Sequence, residues 1–238
     1  MSEHADASTY PLRIEGDLSD PPGRWLWLVK WLLTIPHWIV LFFLWIAFFF
    51  VSVIAFFAIL FTKRYPRGLF DFNAGVLRWT WRVGFYSYQA LGTDKYPPFT
   101  LQDVPDYPAR LEVDYPGELS RGLVLVKWWL LAIPHLIIVG FLAGGWTVYA
   151  GSSENAAWTW SGGLIGLLVF FAGVALLFTG RYIAGLFDFV MGLDRWVYRV
   201  GAYVALMTDK YPPFRLDMGP HDPPAAPAGA ADDLVPAS

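Results

Sequence analysis

The chain has 238 residues, 56% hydrophobic and 16% charged, with a net charge of −3, too apolar for an ordinary soluble domain. It contains no cysteine, which excludes disulfides, thiolate nucleophiles and cysteine-held metals. All 17 Lys and Arg lie outside 31–62 and 128–180, the two long apolar regions, and they form no basic patch suited to nucleic acid.

Residues 1–9 form a polar N-terminal tail with no apolar core before a small-residue cleavage site, so the first apolar helix is expected to act as the insertion signal. From Tyr10 onward the chain is written twice. Tyr10-Pro-Leu-Arg-Ile-Glu15 returns as Tyr107 to Glu112, Ile35-Pro-His37 as Ile133 to His135, and Gly68-Leu-Phe-Asp-Phe72 as Gly185 to Phe189. Thr93-Asp-Lys-Tyr-Pro-Pro-Phe99 returns letter for letter as Thr208 to Phe214. Two tandem repeats, 10–101 and 107–216, are expected.

The Tyr10 and Tyr107 segments alternate polar and apolar residues. They are expected to meet in a small cytoplasmic sheet related by a pseudo-twofold, with Phe99–Leu101 and Phe214–Leu216 as further short strands. Next in repeat 1 comes an apolar stretch, 25–62, about twice the length that crosses a hydrocarbon core of about 30 Å. A tight hairpin turning near Leu44–Phe48 is expected, because a single crossing would put the two Tyr-Pro segments on opposite sides of the membrane. In repeat 2 the equivalent hairpin, 121–179, carries a Gly-rich loop without Lys or Arg. Trp146, Tyr149, Trp158 and Trp160 of that loop are expected at headgroup level. Pro36 and Pro134 predict a kink, or a break between a short interfacial helix and the span.

The third element of each repeat, 69–91 and 186–207, predicts an amphipathic helix. Asp71, Gly75, Arg78 and Arg82 fall on one stripe, and Asp188, Gly192, Arg195 and Arg199 repeat its spacing. The favoured reading lays both helices in the cytoplasmic interface with the Arg heads toward lipid phosphates. The sharper one brings both stripes to the polar residues of the hairpins as a buried cluster. Those residues are Lys30, Thr34 and His37 in repeat 1, and Lys127 and His135 in repeat 2, where one residue has been added between Lys and His. Tyr-Pro-Pro reads as a rigid connector, and 217–238, rich in Pro and Ala, as a disordered tail.

The repeated set Leu-Val-Lys-Trp…Ile-Pro-His, Phe-Thr-x-Arg-Tyr, Gly-Leu-Phe-Asp-Phe, Arg-Trp…Arg-Val and Thr-Asp-Lys-Tyr-Pro-Pro-Phe resembles the DUF4389 family of bacterial membrane proteins. The resemblance covers about 10–101 and 107–216 and implies a helical membrane protein, with no catalytic or binding residue to carry over. Repeat 2 departs from the pattern at the added residue, at Gly180 for Lys63, and at Ile183-Ala184 for Pro66-Arg67.

The sequence therefore predicts an all-α, four-span protein of a bacterial inner membrane, multi-pass with both termini cytoplasmic. No catalytic, cofactor or metal motif is found. The candidate polar or headgroup-binding residues are Lys30, His37, Asp71, Arg78, Arg82, Lys127, His135, Asp188, Arg195 and Arg199. The expected role is a non-enzymatic scaffold or accessory subunit whose partners are membrane lipids, with a protein or a second copy of the chain. A small transporter or lipid translocator, and a lipid-acting enzyme using Asp71 or Asp188 with a His, are the alternatives.

Overall fold

The computed structural model describes residues 10–18, 22–144, 148–150, 157–159 and 163–222. The tail 1–9, Trp146, Trp160 and residues 223–238 lie outside them, as do the side chains of Tyr149 and Trp158.

The alternating Tyr-Pro segments form β1 (Leu12–Gly16) and β2 (Ala109–Val113), paired antiparallel. Their register sets Ile14 opposite Leu111, which are the same position in the two copies of the motif. An approximate twofold axis therefore passes through that pair. Phe99–Leu101 and Phe214–Leu216 are not strands. The carbonyls of 100–102 are instead taken up by Arg78 and Arg82.

Long apolar sequence without Gly favours one helix over a turn. Accordingly α1 runs unbroken over Lys30–Thr62, 33 residues, where a hairpin corner near Leu44–Phe48 was expected. Pro36 is accommodated inside it. A left-handed Lys63 ends it, and α2 (Arg67–Tyr86) turns back along it. Lys30 reaches the Tyr86 end of α2, and Ser52 bonds Asn73 near the other.

Repeat 2 builds the same path in pieces. These are α3 (Arg121–Val126), a π-helical turn over Lys127–Leu131, α4 (Ile133–Ala143, with Pro134 in its first turn) and α5 (Gly163–Thr179). α4 and α5 pack on α6 (Ala184–Val204), and α3 packs on α1. Between α4 and α5, β3 (Val148–Ala150) pairs antiparallel with β4 (Ala157–Thr159). The expected pair of antiparallel legs is not what forms. Lys127 stacks on Tyr203 at the end of α6, whereas Thr179 lies just before its start. The two ends are thus separated by about 28 Å of helix. α5 instead begins where α4 stops: a Cβ on Gly163 would lie 2.3 Å from the Gly144 nitrogen and 2.5 Å from the Leu142 oxygen. Both glycines have positive φ, 78° and 64°, which lets the chain leave the helix and rejoin it. From His37 to Thr62 α1 has 26 residues; His135–Ala143 supplies nine and α5 seventeen, the same total.

The result is layered. α1 and the α4–α5 line form an apolar outer layer, α2 and α6 are buried beneath it, and the sheet lies on α2 and α6. α2 and α6 are therefore not interfacial helices. Nearly every residue from Asn73 to Tyr86 is buried, because both faces of the helix are covered.

Candidate functional site

The polar residues of α1 are brought to one place by the Thr-Asp-Lys-Tyr-Pro-Pro-Phe motif, which wraps around them. Lys30 Nζ donates to the Thr93 carbonyl at 2.7 Å, pairs with Asp94 at 2.8 Å and lies 4.7 Å from the centre of the Tyr86 ring. Asp94 also accepts from the Gly23 backbone N–H. Two turns along, His37 stacks on Phe99 with ring centres 3.9 Å apart, and its Nδ1 accepts from Trp79 Nε1 at 3.2 Å. A neutral imidazole accepting there carries its proton on Nε2.

The second copy repeats this clamp. Lys127 Nζ donates to the Thr208 carbonyl and to Asp209, each at 2.7 Å, and lies 4.6 Å from the Tyr203 ring centre. His135 stacks on Phe214 at 4.6 Å. The eight-residue step from Lys127 to His135 would turn the histidine away on a regular helix. The π turn absorbs the added residue and restores its direction. One contact differs: Trp196 donates to the Pro213 carbonyl, and both nitrogens of His135 are left without a partner among the described residues.

The Arg stripes face inward. Arg78 donates to the carbonyls of Leu111 and Leu101, and Arg82 to those of Gln102 and Thr100. Gly75 allows this approach, since a Cβ there would stand 2.9 Å from the Leu101 oxygen. Burial pushes the Arg82 guanidinium down to about 10, with Arg78 adding to the shift, which leaves it charged at neutral pH. In the second copy Arg195 donates to the Ile14 and Gly219 carbonyls at 2.9 and 3.1 Å. Asp222 bridges Arg195, Arg199 and the Ile14 N–H at 2.7–2.9 Å, and Asp217 pairs with Arg199 at 2.5 Å. Residues 217–222, expected in a disordered tail, are held here because two buried guanidinium groups require carboxylates. The favoured expectation that these arginines meet lipid phosphates is overturned: Arg82, Arg195 and Arg199 are buried and donate to acceptors of the protein itself.

The ten candidate residues thus divide. Lys30 with His37, and Lys127 with His135, form two separate clamps, while Arg78, Arg82, Arg195 and Arg199 hold the sheet and the segments after each motif. Asp71 is exposed and Asp188 half-buried, and neither side chain joins a cluster. The tyrosines cross between copies. Tyr10 donates to the Lys210 carbonyl at 3.1 Å, and Tyr107 to that of Lys95 at 3.0 Å, so each Tyr-Pro segment serves the other repeat.

Sequence reasoning missed Asp194. It is fully buried on α6, and neither carboxylate oxygen has a partner among the described residues. Burial holds its carboxyl far above the usual range, against the opposing charge of Arg195. The missed signal was its position, since repeat 1 has Leu77 there.

Among the described residues no group of three His, Asp or Glu could hold a metal. An open depression of about 440 Å³ is lined by Lys63, Glu118, Ser120, Arg121 and Asp209 among others. Among the described residues one helix, α1, is long and apolar enough to cross a membrane. A family model described as a domain of unknown function, DUF4389, matches residues 24–100 and 156–215, more than half of the chain. The second match begins after the π turn and the Gly144 break. No curated protein and no solved structure matches the chain.

Proposed function

The chain belongs to the DUF4389 family, and we propose that this member is an integral protein of a bacterial inner membrane serving as a non-enzymatic scaffold or accessory subunit. The observation that carries the reading is the inverted distribution of side chains on α1. Its buried stripe holds Lys30, Thr34 and His37, and its exposed face holds Trp31, Ile35, Phe42, Phe43, Phe49, Phe50, Ile54 and Phe57. In water that face would be a severe liability, whereas in lipid it is the favoured surface. The polar layer lies on the cytoplasmic side, in keeping with exposed Lys63, Arg64, Arg67, Arg121 and Arg181. Its inward cations are held by protein acceptors, Arg78 and Arg195 by carbonyls of the other copy's strand and the rest within their own copy, which favours a rigid platform over a reacting centre. The transporter alternative finds no support in an open 440 Å³ depression, and the lipid-enzyme alternative none in the separated Asp71, Asp188 and histidines.

The test has two parts. Membranes from expressing cells are washed with alkaline carbonate, and the protein is expected to stay in the pellet; release into the wash would end the membrane reading. Purified protein in proteoliposomes is then expected to leave ion and lipid-probe flux at the level of empty vesicles. Flux abolished by Asp194→Asn would replace the scaffold with a transporter.

A further inference from the structure

α1 leads from the Tyr86 end of α2 to the Arg67 end, and the α4–α5 line leads back from the Tyr203 end of α6 to its start. The axis through Ile14 and Leu111 exchanges the two paths, and they run opposite to each other: Arg121 at the start of α3 donates to the Phe61 carbonyl near the end of α1, while a Cβ on Gly173, late in α5, would stand 3.1 Å from the Trp27 ring just before α1. A half-turn reverses a direction only when that direction is perpendicular to the axis. If α1 crossed the bilayer, the axis would lie in the membrane plane and the sheet would sit at mid-depth. Arg78, in the middle of α2, indeed bonds Leu111 on the axis. That would put the Arg13–Asp114 and Arg110–Asp103 ion pairs, all at least one-third exposed apart from Arg13 at 31%, at the level of the hydrocarbon centre, where charges and loose backbone are costly.

From this we infer that the apolar layer lies in the plane of one leaflet, so that the chain enters the bilayer from one side and does not cross it. This rests on the membrane reading above and assigns the α1/α4–α5 surface to lipid acyl chains of a single leaflet. Three further observations agree. First, α1 has 33 residues and is about 50 Å long, so fitting it across a core of about 30 Å would need a tilt beyond about 50°. Second, its buried residues Lys30, Thr34, His37, Leu41, Phe48, Ala55 and Ile59 fall within about 60° of the helical wheel from one end to the other. The body therefore underlies the whole helix, and no part of α1 projects free of it. Third, tryptophan favours headgroup depth. In a crossing helix it belongs at the ends, but Trp31, Trp38 and Trp45 recur every seventh residue up to the middle of α1 and are all exposed. On the wheel they flank the buried stripe, while Leu32, Ile39, Ile46, Phe50 and Phe57 lie at the centre of the exposed arc. This is the pattern of a helix lying flat, with its shoulder at the headgroups and its far side in the acyl chains.

The chain has no native cysteine, so single cysteines at Leu32, Ile39, Ile46, Phe50 and Phe57 can carry nitroxides in vesicles of phosphatidylethanolamine and phosphatidylglycerol. Power-saturation depths should be alike at all five positions. A profile deepest at Ile46 and shallow at Leu32 and Phe57 would overturn the inference. Exposed Arg24→Cys and Lys63→Cys supply a second readout at the two ends of α1, with an impermeant maleimide applied to inverted and right-side-out vesicles. Both should label from one and the same side; labelling from opposite sides would establish a crossing. A soluble protein with water-accessible nitroxides at all five positions would instead defeat the membrane reading itself.

Discussion

The two repeats reach one set of side-chain contacts over different backbones. Repeat 1 uses an uninterrupted α1; repeat 2 inserts one residue as a π turn and leaves the helix altogether between Gly144 and Gly163, yet Lys127 and His135 are clamped as Lys30 and His37 are. Both insertions are tolerated because each is closed within the helix that receives it. The arginines differ in a second way. Arg78 and Arg82 are met mainly by carbonyls, Arg195 and Arg199 also by Asp217 and Asp222, and Gln102 stands where the second copy has Asp217. What both copies keep is the neutralisation of inward polar groups, achieved with whichever acceptors the following segment offers.

That comparison breaks most visibly at the carboxylates. The pair Asp217→Asn and Asp222→Asn should cost about 3–5 kcal/mol, because it leaves two buried guanidinium groups without counter-charge; unfolding in detergent followed by circular dichroism measures it. The equivalent change in repeat 1, Gln102→Ala, keeps the backbone carbonyl and should cost far less.

Asp194→Leu, which gives repeat 2 the residue of repeat 1, should stabilise by about 1–3 kcal/mol by removing an unpartnered buried polar group. Its pH signature is specific. Unfolded, this carboxyl ionises near about 4; folded, burial holds its proton to a much higher pH. Above about pH 4 the folded state binds more protons, so this contribution to stability declines as pH rises toward the folded value. Unfolding midpoints from pH 4 to 8 should show that decline in the native chain and a shallower one in Asp194→Leu.

Tyr10→Phe and Tyr107→Phe each remove one O–H that links a Tyr-Pro segment to the other repeat and should each cost about 1 kcal/mol. Equal losses would show the crossed strands to be equivalent. Smallest of all, deleting 144–162 and joining Ala143 to Gly163 should change stability by less than about 1 kcal/mol, because it gives repeat 2 the 26-residue continuity of α1 from its histidine onward. A large loss on thermal melting would mean that α4 and α5 are not two halves of one helix.

Much of this was legible in the letters. The duplication, the apolar stretches, the pairing of the Tyr-Pro segments and the added residue between Lys127 and His135 are properties of spacing, which backbone periodicity converts directly into structure. The direction of the Arg stripes was not legible. A helical wheel places Arg78 and Arg82 on one face but does not say whether lipid phosphate or peptide carbonyl lies opposite, and here the 100–102 segment arrives first. Asp194 was hidden for a related reason, since its isolation is created by what packs around α6.

By itself, then, the sequence determined that two copies exist, which residues of each point together, and that most of the surface of α1 is apolar. Only the tertiary structure decided that α1 does not turn, that α4 continues into α5, and that each Tyr-Pro strand crosses to the other repeat. Those outcomes depend on contacts between segments far apart in the chain, where the energy of burying a guanidinium beside a carbonyl or completing a ladder outweighs local preference.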